Sequence, residues 1–142
     1  MLRLTFSILC SVLLLPSLAR AETVLYDQYE INGHPGYLTA GEVNHGLERV
    51  LLIVPGFDTR NDTMPLDELQ GDFAELVDFF SLYGWDVIFF DYVDGAIDLK
   101  QNAENLAHFI EYLDTQAPED YHLAVMGGSM GGIVVSRSVR IG

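Results

Sequence analysis

In the stretch Gly127-Gly128-Ser129-Met130-Gly131, one glycine lies two residues before Ser129 and another lies two residues after it. This spacing is typical of a chemically active serine. Apolar runs precede and follow this stretch, which predicts a buried strand, a sharp turn and a helix. Glycines two residues before and two residues after the serine let the strand and the helix pass close together. The pattern therefore predicts a nucleophile elbow that holds the Ser129 hydroxyl clear of the backbone. The alternative is a serine in a flexible glycine loop.

Two phosphate-binding motifs also place glycines between a strand and a helix. A dinucleotide-binding fingerprint would need a glycine where this sequence has Ser129. A Walker loop would need Gly-Lys-Ser or Gly-Lys-Thr after the glycines, and neither follows. No cluster of His, Cys and Asp has the spacing of metal ligands. The sequence therefore predicts neither an organic cofactor nor a metal.

The first 21 residues have the composition of a secretory signal peptide. Arg3 precedes an apolar segment at residues 4–18, and Ala19-Arg20-Ala21 places small residues where a signal peptidase reads them. We predict cleavage after Ala21, which would leave residues 22–142 as a secreted or periplasmic protein without a stable membrane span. An uncleaved anchor is the alternative, but the segment is short for a span and a proline interrupts it.

Acidic residues outnumber basic ones in the chain as a whole. It contains 7 Lys and Arg and 21 Asp and Glu, which gives a formal net charge of −14 at pH 7. Such a charge disfavours binding to nucleic acid and to anionic membrane surfaces. The only cysteine lies in the predicted signal peptide, so the mature chain would depend on one hydrophobic core and no disulfide. Its size suits a single domain.

Apolar periodicity predicts alternating strands and helices in residues 22–142. Two N-terminal strands, at residues 23–31 and 37–40, are separated by Asn32-Gly33, a dipeptide favoured in tight hairpins. The uninterrupted apolar run at residues 50–54 is typical of a strand covered on both faces. The remaining predicted elements are strands at residues 85–91 and 121–126 and helices at residues 66–83 and 97–115.

This order of elements predicts a doubly wound α/β fold with a mostly parallel sheet. Right-handed crossovers would make the later strands parallel, so the loops after their carboxyl ends would share one edge of the sheet. Residues 55–57, residues 91–94 and Ser129 are expected to meet at that edge. Sheets of this kind place their ligand sites there.

The sequence resembles the α/β-hydrolase superfamily in three segments: residues 50–57, residues 85–91 and, above all, Gly127-Gly128-Ser129-Met130-Gly131-Gly132. The last segment, followed by an apolar helix start, looks most like lipases and carboxylesterases. Residues 91–98 look like the corresponding part of secreted lipase-like proteins. The resemblance covers the N-terminal portion of a hydrolase domain and implies small-molecule or lipid esters as substrates.

The resemblance implies a role for each residue of the motif. Ser129 would be the catalytic nucleophile, and Gly127 and Gly131 would be the elbow glycines. The backbone N–H groups of Met130 and Phe57 would form the oxyanion hole. The alternative for Phe57 is a side chain that packs on the core at the end of an ordinary strand.

A catalytic base is the part that the sequence does not supply. The superfamily order is serine, acid and then histidine, but residues 130–142 contain no Asp, Glu or His. The four histidines all precede the serine in places that suit surface or turn residues. Three aspartates are expected near the site edge, where hydrogen bonding within the loops is their expected role: Asp58, Asp91 and Asp94.

Two hypotheses remain for the chain. The first is a fragment, truncated after the nucleophile-elbow helix, of a longer secreted serine hydrolase whose acid and histidine lie downstream; the 142-residue chain alone would then be inactive. The second is a short α/β module that binds a ligand or a partner without catalysis. Acyl transfer or amide hydrolysis by Ser129 is a further alternative to ester hydrolysis.

Overall fold

The computed structural model describes residues 22–26, 30–31, 34–35, 37–57, 66–92 and 96–141. The predicted signal peptide, the Asn32-Gly33 turn, Asp58 and Asp94 lie outside these residues. The elements in chain order are β1 (Glu22–Tyr26), β2 (Glu30–Ile31), β3 (His34–Pro35), β4 (Tyr37–Val43), β5 (Arg49–Val54), α1 (Leu66–Asp72), α2 (Ala74–Leu82), β6 (Asp86–Tyr92), α3 (Leu99–Gln116), β7 (His122–Gly127) and α4 (Met130–Ser138).

A five-stranded sheet in the order β1-β4-β6-β5-β7 forms the centre of the structure. β5 pairs in parallel with β6 and β7, whereas β4 runs antiparallel to both of its neighbours. Every strand of this sheet except β4 therefore points the same way. Helices α1 and α2 connect β5 to β6, and α3 connects β6 to β7. This arrangement confirms the predicted doubly wound, mostly parallel α/β sheet.

The N-terminal strands differ from the prediction in their extent. β1 pairs with β4, while β2 and β3 form a separate two-stranded sheet. The predicted strand at residues 23–31 is therefore two strands, and the returning strand runs beyond Ala40 to Val43. Gly41 permits this extension because a Cβ at that position would lie 2.6 Å from the carbonyl oxygen of Val87 in β6.

The predicted helix at residues 66–83 is interrupted once. Phe73, with φ −114° and ψ 19°, separates α1 from α2. Gly71-Asp72 directly precedes the break, and both residue types disfavour a helix interior. The ring of Phe73 packs against that of Phe89 in β6, with 5.7 Å between the centroids. The interruption therefore coincides with an aromatic contact onto the sheet.

Helices cover both faces of the sheet. Successive side chains of a strand point to opposite faces, so β5 and β6 supply two separate clusters. This cover confirms the interpretation of residues 50–54 as a buried strand. The cluster under α3 and α4 includes Val50, Leu52, Val54, Ile88 and Phe90. The cluster under α1 and α2 includes Leu51, Ile53, Leu69, Val87 and Phe89.

A buried carboxylate holds the turn between β4 and β5. Asp86 begins β6, is 1% exposed, and accepts hydrogen bonds from the N–H groups of Asn44, His45 and Leu47 at 2.6, 2.9 and 2.8 Å. Gly46 and Leu47 both have positive φ, at 68° and 61°. Backbone donors therefore compensate the buried charge and fix the edge of the sheet opposite Ser129.

Candidate active site

Ser129 occupies the sharp turn between β7, which ends at Gly127, and α4, which begins at Met130. Its φ of 50° and ψ of −118° lie in a region that residues other than glycine rarely adopt. The side chain is exposed and makes no capping hydrogen bond to α4. The strained turn therefore presents the hydroxyl at the start of the helix.

The two glycines of the motif are required by close backbone contacts. A Cβ on Gly127 would lie 2.6 Å from backbone atoms of Gly131 and Gly132. A Cβ on Gly131 would overlap the carbonyl oxygens of Val54 and Pro55 at the end of β5. The glycines are therefore needed at two close backbone contacts. Gly127 lets β7 pass close to α4, and Gly131 lets α4 pass close to the end of β5.

Backbone hydrogen bonds tie the turn together. The Gly128 N–H donates to the Val54 carbonyl at 3.1 Å, and the Gly131 N–H donates to the Gly128 carbonyl at 2.8 Å. Within the part of the chain that the structure describes, no backbone hydrogen bond outside helices and strands uses the N–H of Met130 or of Phe57. These two donors are the ones expected for an oxyanion hole.

The loop after β5 lies against the serine. A Cβ on Gly56 would be 3.3 Å from the Ser129 Cβ and 3.9 Å from its Oγ. The adjacent Phe57 side chain is 51% exposed, so the alternative in which it packs in the core is wrong. Residues 55–57 and Ser129 therefore share the edge of the sheet, as predicted.

The end of β6 reaches the same loop. The Tyr92 hydroxyl donates to the Pro55 carbonyl oxygen at 3.3 Å, and Asp91 Oδ1 accepts from the Tyr92 backbone N–H at 2.9 Å. Burial, and then the nearby Asp91 charge, raise the pKa of the Tyr92 hydroxyl well above its usual range. Tyr92 is therefore a neutral hydrogen-bond donor at every physiological pH.

None of the histidines with described side chains lies at this edge. His45 lies in the turn held by Asp86, and His122 begins β7 at the end opposite Gly127. His108 lies on the exposed side of α3, where its Nδ1 is 3.4 Å from a carboxylate oxygen of Glu111. These side chains are not placed to act as a base for Ser129.

Within the described ranges, no group of three His, Cys, Asp or Glu side chains could hold a metal ion. A search of the same residues for a helix with the length and apolarity of a membrane span finds none.

An open groove of about 690 Å³ begins at Ser129 and follows one side of α4. Among the residues that the structure describes, its lining combines small, apolar and basic side chains and includes no acidic residue. The lining residues are Lys100, Ser129, Gly132, Ile133, Ser136, Arg137, Arg140 and Ile141.

Comparison with solved structures identifies the architecture. A structure from Lactobacillus plantarum aligns with a TM-score of 0.59 at 16% identity, over 83% of this chain and 47% of that one. A serine hydrolase without lid from Xanthomonas campestris gives 0.54 at 16% identity, over 87% and 57%. A thermophilic esterase from Thermogutta terrifontis gives 0.52 at 13% identity, over 85% and 44%. The chain has the α/β-hydrolase fold.

A scan against models of protein families and a search of curated proteins give no match. The chain spans about half the length of the α/β-hydrolase structures that it matches.

Some residues of this edge carry no signal in the sequence. Tyr92 follows a predicted strand of the hydrolase fold, yet nothing in its local sequence indicates a bond to Pro55. Lys100 of α3, Arg137 of α4 and Arg140 in the turn after α4 were not predicted as a group. The chain has only 7 Lys and Arg beside 21 Asp and Glu, and this scarcity of basic residues is the one feature of the sequence that draws attention to them.

Proposed function

We propose that the protein is a serine hydrolase that cleaves carboxylic esters through an acyl-enzyme on Ser129. The observation that carries the proposal is the strained turn at Ser129, which presents an exposed hydroxyl beside Gly56. Proteins with the same fold include a lipase/esterase of Lactobacillus plantarum and the esterase of Thermogutta terrifontis. Because their sequence identity to this chain is low, these proteins support the proposed class of reaction but indicate no particular substrate.

The proposed reaction has two steps. Ser129 Oγ bonds to the ester carbonyl carbon, the hydroxyl proton passes to a base, and the alcohol leaves with a proton from that base. Water then attacks the acyl-enzyme, which releases the carboxylic acid and restores the serine. The N–H groups of Met130 and Phe57 would stabilise the oxyanion of each step, with each donor contributing about 3–4 kcal/mol.

We further propose that the acid and the histidine come from a longer polypeptide of which this chain is the N-terminal part. Its coverage of 44 to 57% of the α/β-hydrolase structures cited above supports this proposal. The 142-residue chain alone would then have little activity, because a serine without a base is a weak nucleophile. The predicted signal peptide would direct the protein to the periplasm or out of the cell.

Labelling with a fluorophosphonate probe tests the nucleophile in the protein encoded by the complete gene. The wild-type protein and Ser81→Ala, which changes a serine of α2 on the other face of the sheet, should be labelled. Ser129→Ala should not be labelled. Equal labelling of Ser129→Ala, or a folded wild-type protein without any label, would contradict the proposal.

A second candidate function is a module that binds a ligand or a partner without catalysis. The groove beside Ser129, together with the absence of a described histidine side chain from this edge of the sheet, favours this candidate. It predicts a folded, unlabelled protein that still binds small esters. Acyl transfer and amide hydrolysis by the same serine are separated from ester hydrolysis by product analysis with added alcohol and with amide substrates.

A further inference from the structure

Asn102 lies in α3 as a buried polar side chain without a hydrogen-bond partner. The residue is 0% exposed, and neither Oδ1 nor Nδ2 has a partner among the residues that the structure describes. The other buried asparagine of α3, Asn105, is equally enclosed but accepts a hydrogen bond from Gln101 Nε2 at 3.4 Å. An amide buried without a partner destabilises a fold, so native proteins rarely keep one without a bound group. This chain already buries the carboxamide by itself.

The direction of α3 places Asn102 at the edge of the sheet that carries Ser129. Phe109 lies seven residues later on the same face of the helix, and its ring centroid is 6.3 Å from that of Phe90 in β6. Because α3 connects the carboxyl end of β6 with the start of the parallel strand β7, it runs back against the strands. The path from Phe109 to Asn102, about 10 Å along the helix, therefore leads past Phe90 towards the carboxyl end of β6.

Two further contacts agree with this placement. Lys100, two residues before Asn102, lines the groove that begins at Ser129. Tyr92 lies two residues after Phe90 on the same face of the sheet, and their ring centroids are 5.6 Å apart. Tyr92 also belongs to the core cluster that α3 and α4 cover. The carboxamide is therefore enclosed between α3, the end of β6 and α4.

The Tyr92 hydroxyl is a suitable second partner at this edge. Tyr92 is buried, and its hydroxyl donates to the Pro55 carbonyl oxygen at 3.3 Å. A phenolic oxygen that donates its proton can still accept a hydrogen bond. The Pro55 carbonyl in turn lies against the first turn of α4, because a Cβ on Gly131 would overlap it. Asn102 and Tyr92 make no direct hydrogen bond, so a link between them needs a water, the common partner of buried polar groups that the chain leaves unpaired.

We propose that the Asn102 carboxamide binds a buried water that donates to the Tyr92 oxygen, and that this bridge positions the turn of Ser129. The water can accept from Nδ2 or donate to Oδ1, and in both cases it keeps a proton for the tyrosine. The Tyr92 hydroxyl then directs its own proton to the Pro55 carbonyl. The bridge thereby fixes the loop after β5 and the first turn of α4 relative to α3. The positioning role rests on the proposed function of Ser129 as the nucleophile, whereas the water bridge does not.

A crystal structure of the protein encoded by the complete gene, at a resolution that shows ordered water, tests the bridge directly. The expected result is a water within hydrogen-bond distance of both the Asn102 carboxamide and the Tyr92 hydroxyl oxygen. A carboxamide that bonds instead to residues 93–95, or to polypeptide beyond residue 142, would overturn the proposal. A dry carboxamide without any partner would overturn it as well.

A double-mutant cycle in the same protein measures whether the two side chains act as one unit. Asn102→Leu keeps the branched shape and removes both polar atoms, and Tyr92→Phe removes the hydroxyl. Tyr92→Phe should change the unfolding equilibrium constant about three- to tenfold alone and less than about twofold in the Asn102→Leu background. Asn102→Ala serves as the second background in case leucine does not fit. Ser138→Ala removes a buried hydroxyl at the last residue of α4 that donates to the Val135 carbonyl, and should leave the effect of Tyr92→Phe unchanged.

Hydrolysis of p-nitrophenyl butyrate extends the cycle to the positioning role. Asn102→Leu should lower kcat about three- to tenfold with KM nearly unchanged, and this effect should almost vanish in the Tyr92→Phe background. Additive effects on unfolding, or an Asn102→Leu protein that is more stable with unaltered kcat, would overturn the bridge. Coupling in unfolding without coupling in kcat would overturn the positioning of Ser129. Absence of hydrolysis in a folded wild-type protein would overturn the proposed function and the positioning role, while the unfolding cycle would still decide the bridge.

Discussion

The Tyr92 hydroxyl donates a hydrogen bond to the carbonyl oxygen of Pro55 at 3.3 Å. The preceding carbonyl, that of Val54, accepts from the Gly128 N–H at 3.1 Å. Two successive peptide groups are therefore held by donors from different elements, directly before Gly56 and the Phe57 N–H. This contact links the ends of β5, β6 and β7 at one edge of the sheet.

Replacement of Tyr92 by Phe removes the hydroxyl and keeps the ring. If the Phe57 N–H stabilises the oxyanion, a less fixed loop should lower kcat of the protein encoded by the complete gene about three- to tenfold, in line with the loss of one hydrogen bond, and leave KM nearly unchanged. The pH profile should not shift, because the raised pKa keeps this hydroxyl neutral. Tyr121→Phe removes a hydroxyl that donates to Asp114 and is the control. A change in KM alone would assign Tyr92 to substrate binding instead.

Gly131→Ala should destabilise the fold more than Gly128→Ala. A Cβ at residue 131 would overlap two backbone carbonyl oxygens, whereas a Cβ at residue 128 meets no atom within 4 Å. Backbone atoms of a central strand cannot move away cheaply, so we expect a loss of about 1–3 kcal/mol in the free energy of unfolding for Gly131→Ala. Urea unfolding followed by circular dichroism measures the difference. Equal losses in the two variants would show that the helix can shift away from β5.

Local patterns predicted the parts of the fold that depend on neighbours in the chain. The apolar run at residues 50–54 and the glycines around Ser129 each encode a strand or a turn within a few residues. The break at Phe73 was missed because the apolar period continues across it. A periodic pattern reports which face of a helix is apolar and not whether its backbone is continuous.

Contacts between distant residues left no such signal. Tyr92 and Pro55 are 37 positions apart, and their bond depends on the pairing of β5 with β6. The groove that begins at Ser129 combines residues of α3 and α4 because these helices lie on the same face of the sheet. The candidate site was therefore predictable around Ser129 itself and not in the residues that surround it.

Asp86→Ala should cost the protein about 3 kcal/mol or more in the free energy of unfolding. The substitution leaves three backbone N–H groups of the turn before β5 without their carboxylate acceptor, and hydrogen bonds to a charged group are the stronger kind. Asp98→Ala is a matched control, because the Asp98 carboxylate accepts one N–H at the exposed start of α3. Loss of that cap should cost about 1 kcal/mol. Comparable losses would mean that water replaces the Asp86 carboxylate in the turn.

In the protein encoded by the complete gene, Ser129→Gly should raise the stability while it abolishes fluorophosphonate labelling. The φ of 50° with ψ of −118° is costly for a residue with a Cβ and readily accessible to glycine. Relief of this strain should raise the free energy of unfolding by about 1 kcal/mol, after allowance for the greater freedom of glycine in the unfolded chain. Ser129→Ala removes the same hydroxyl but keeps the Cβ, so it should lose the label without the gain in stability. Equal stability of the two variants would indicate that the backbone relaxes once the hydroxyl is absent, and that the side chain itself holds the turn.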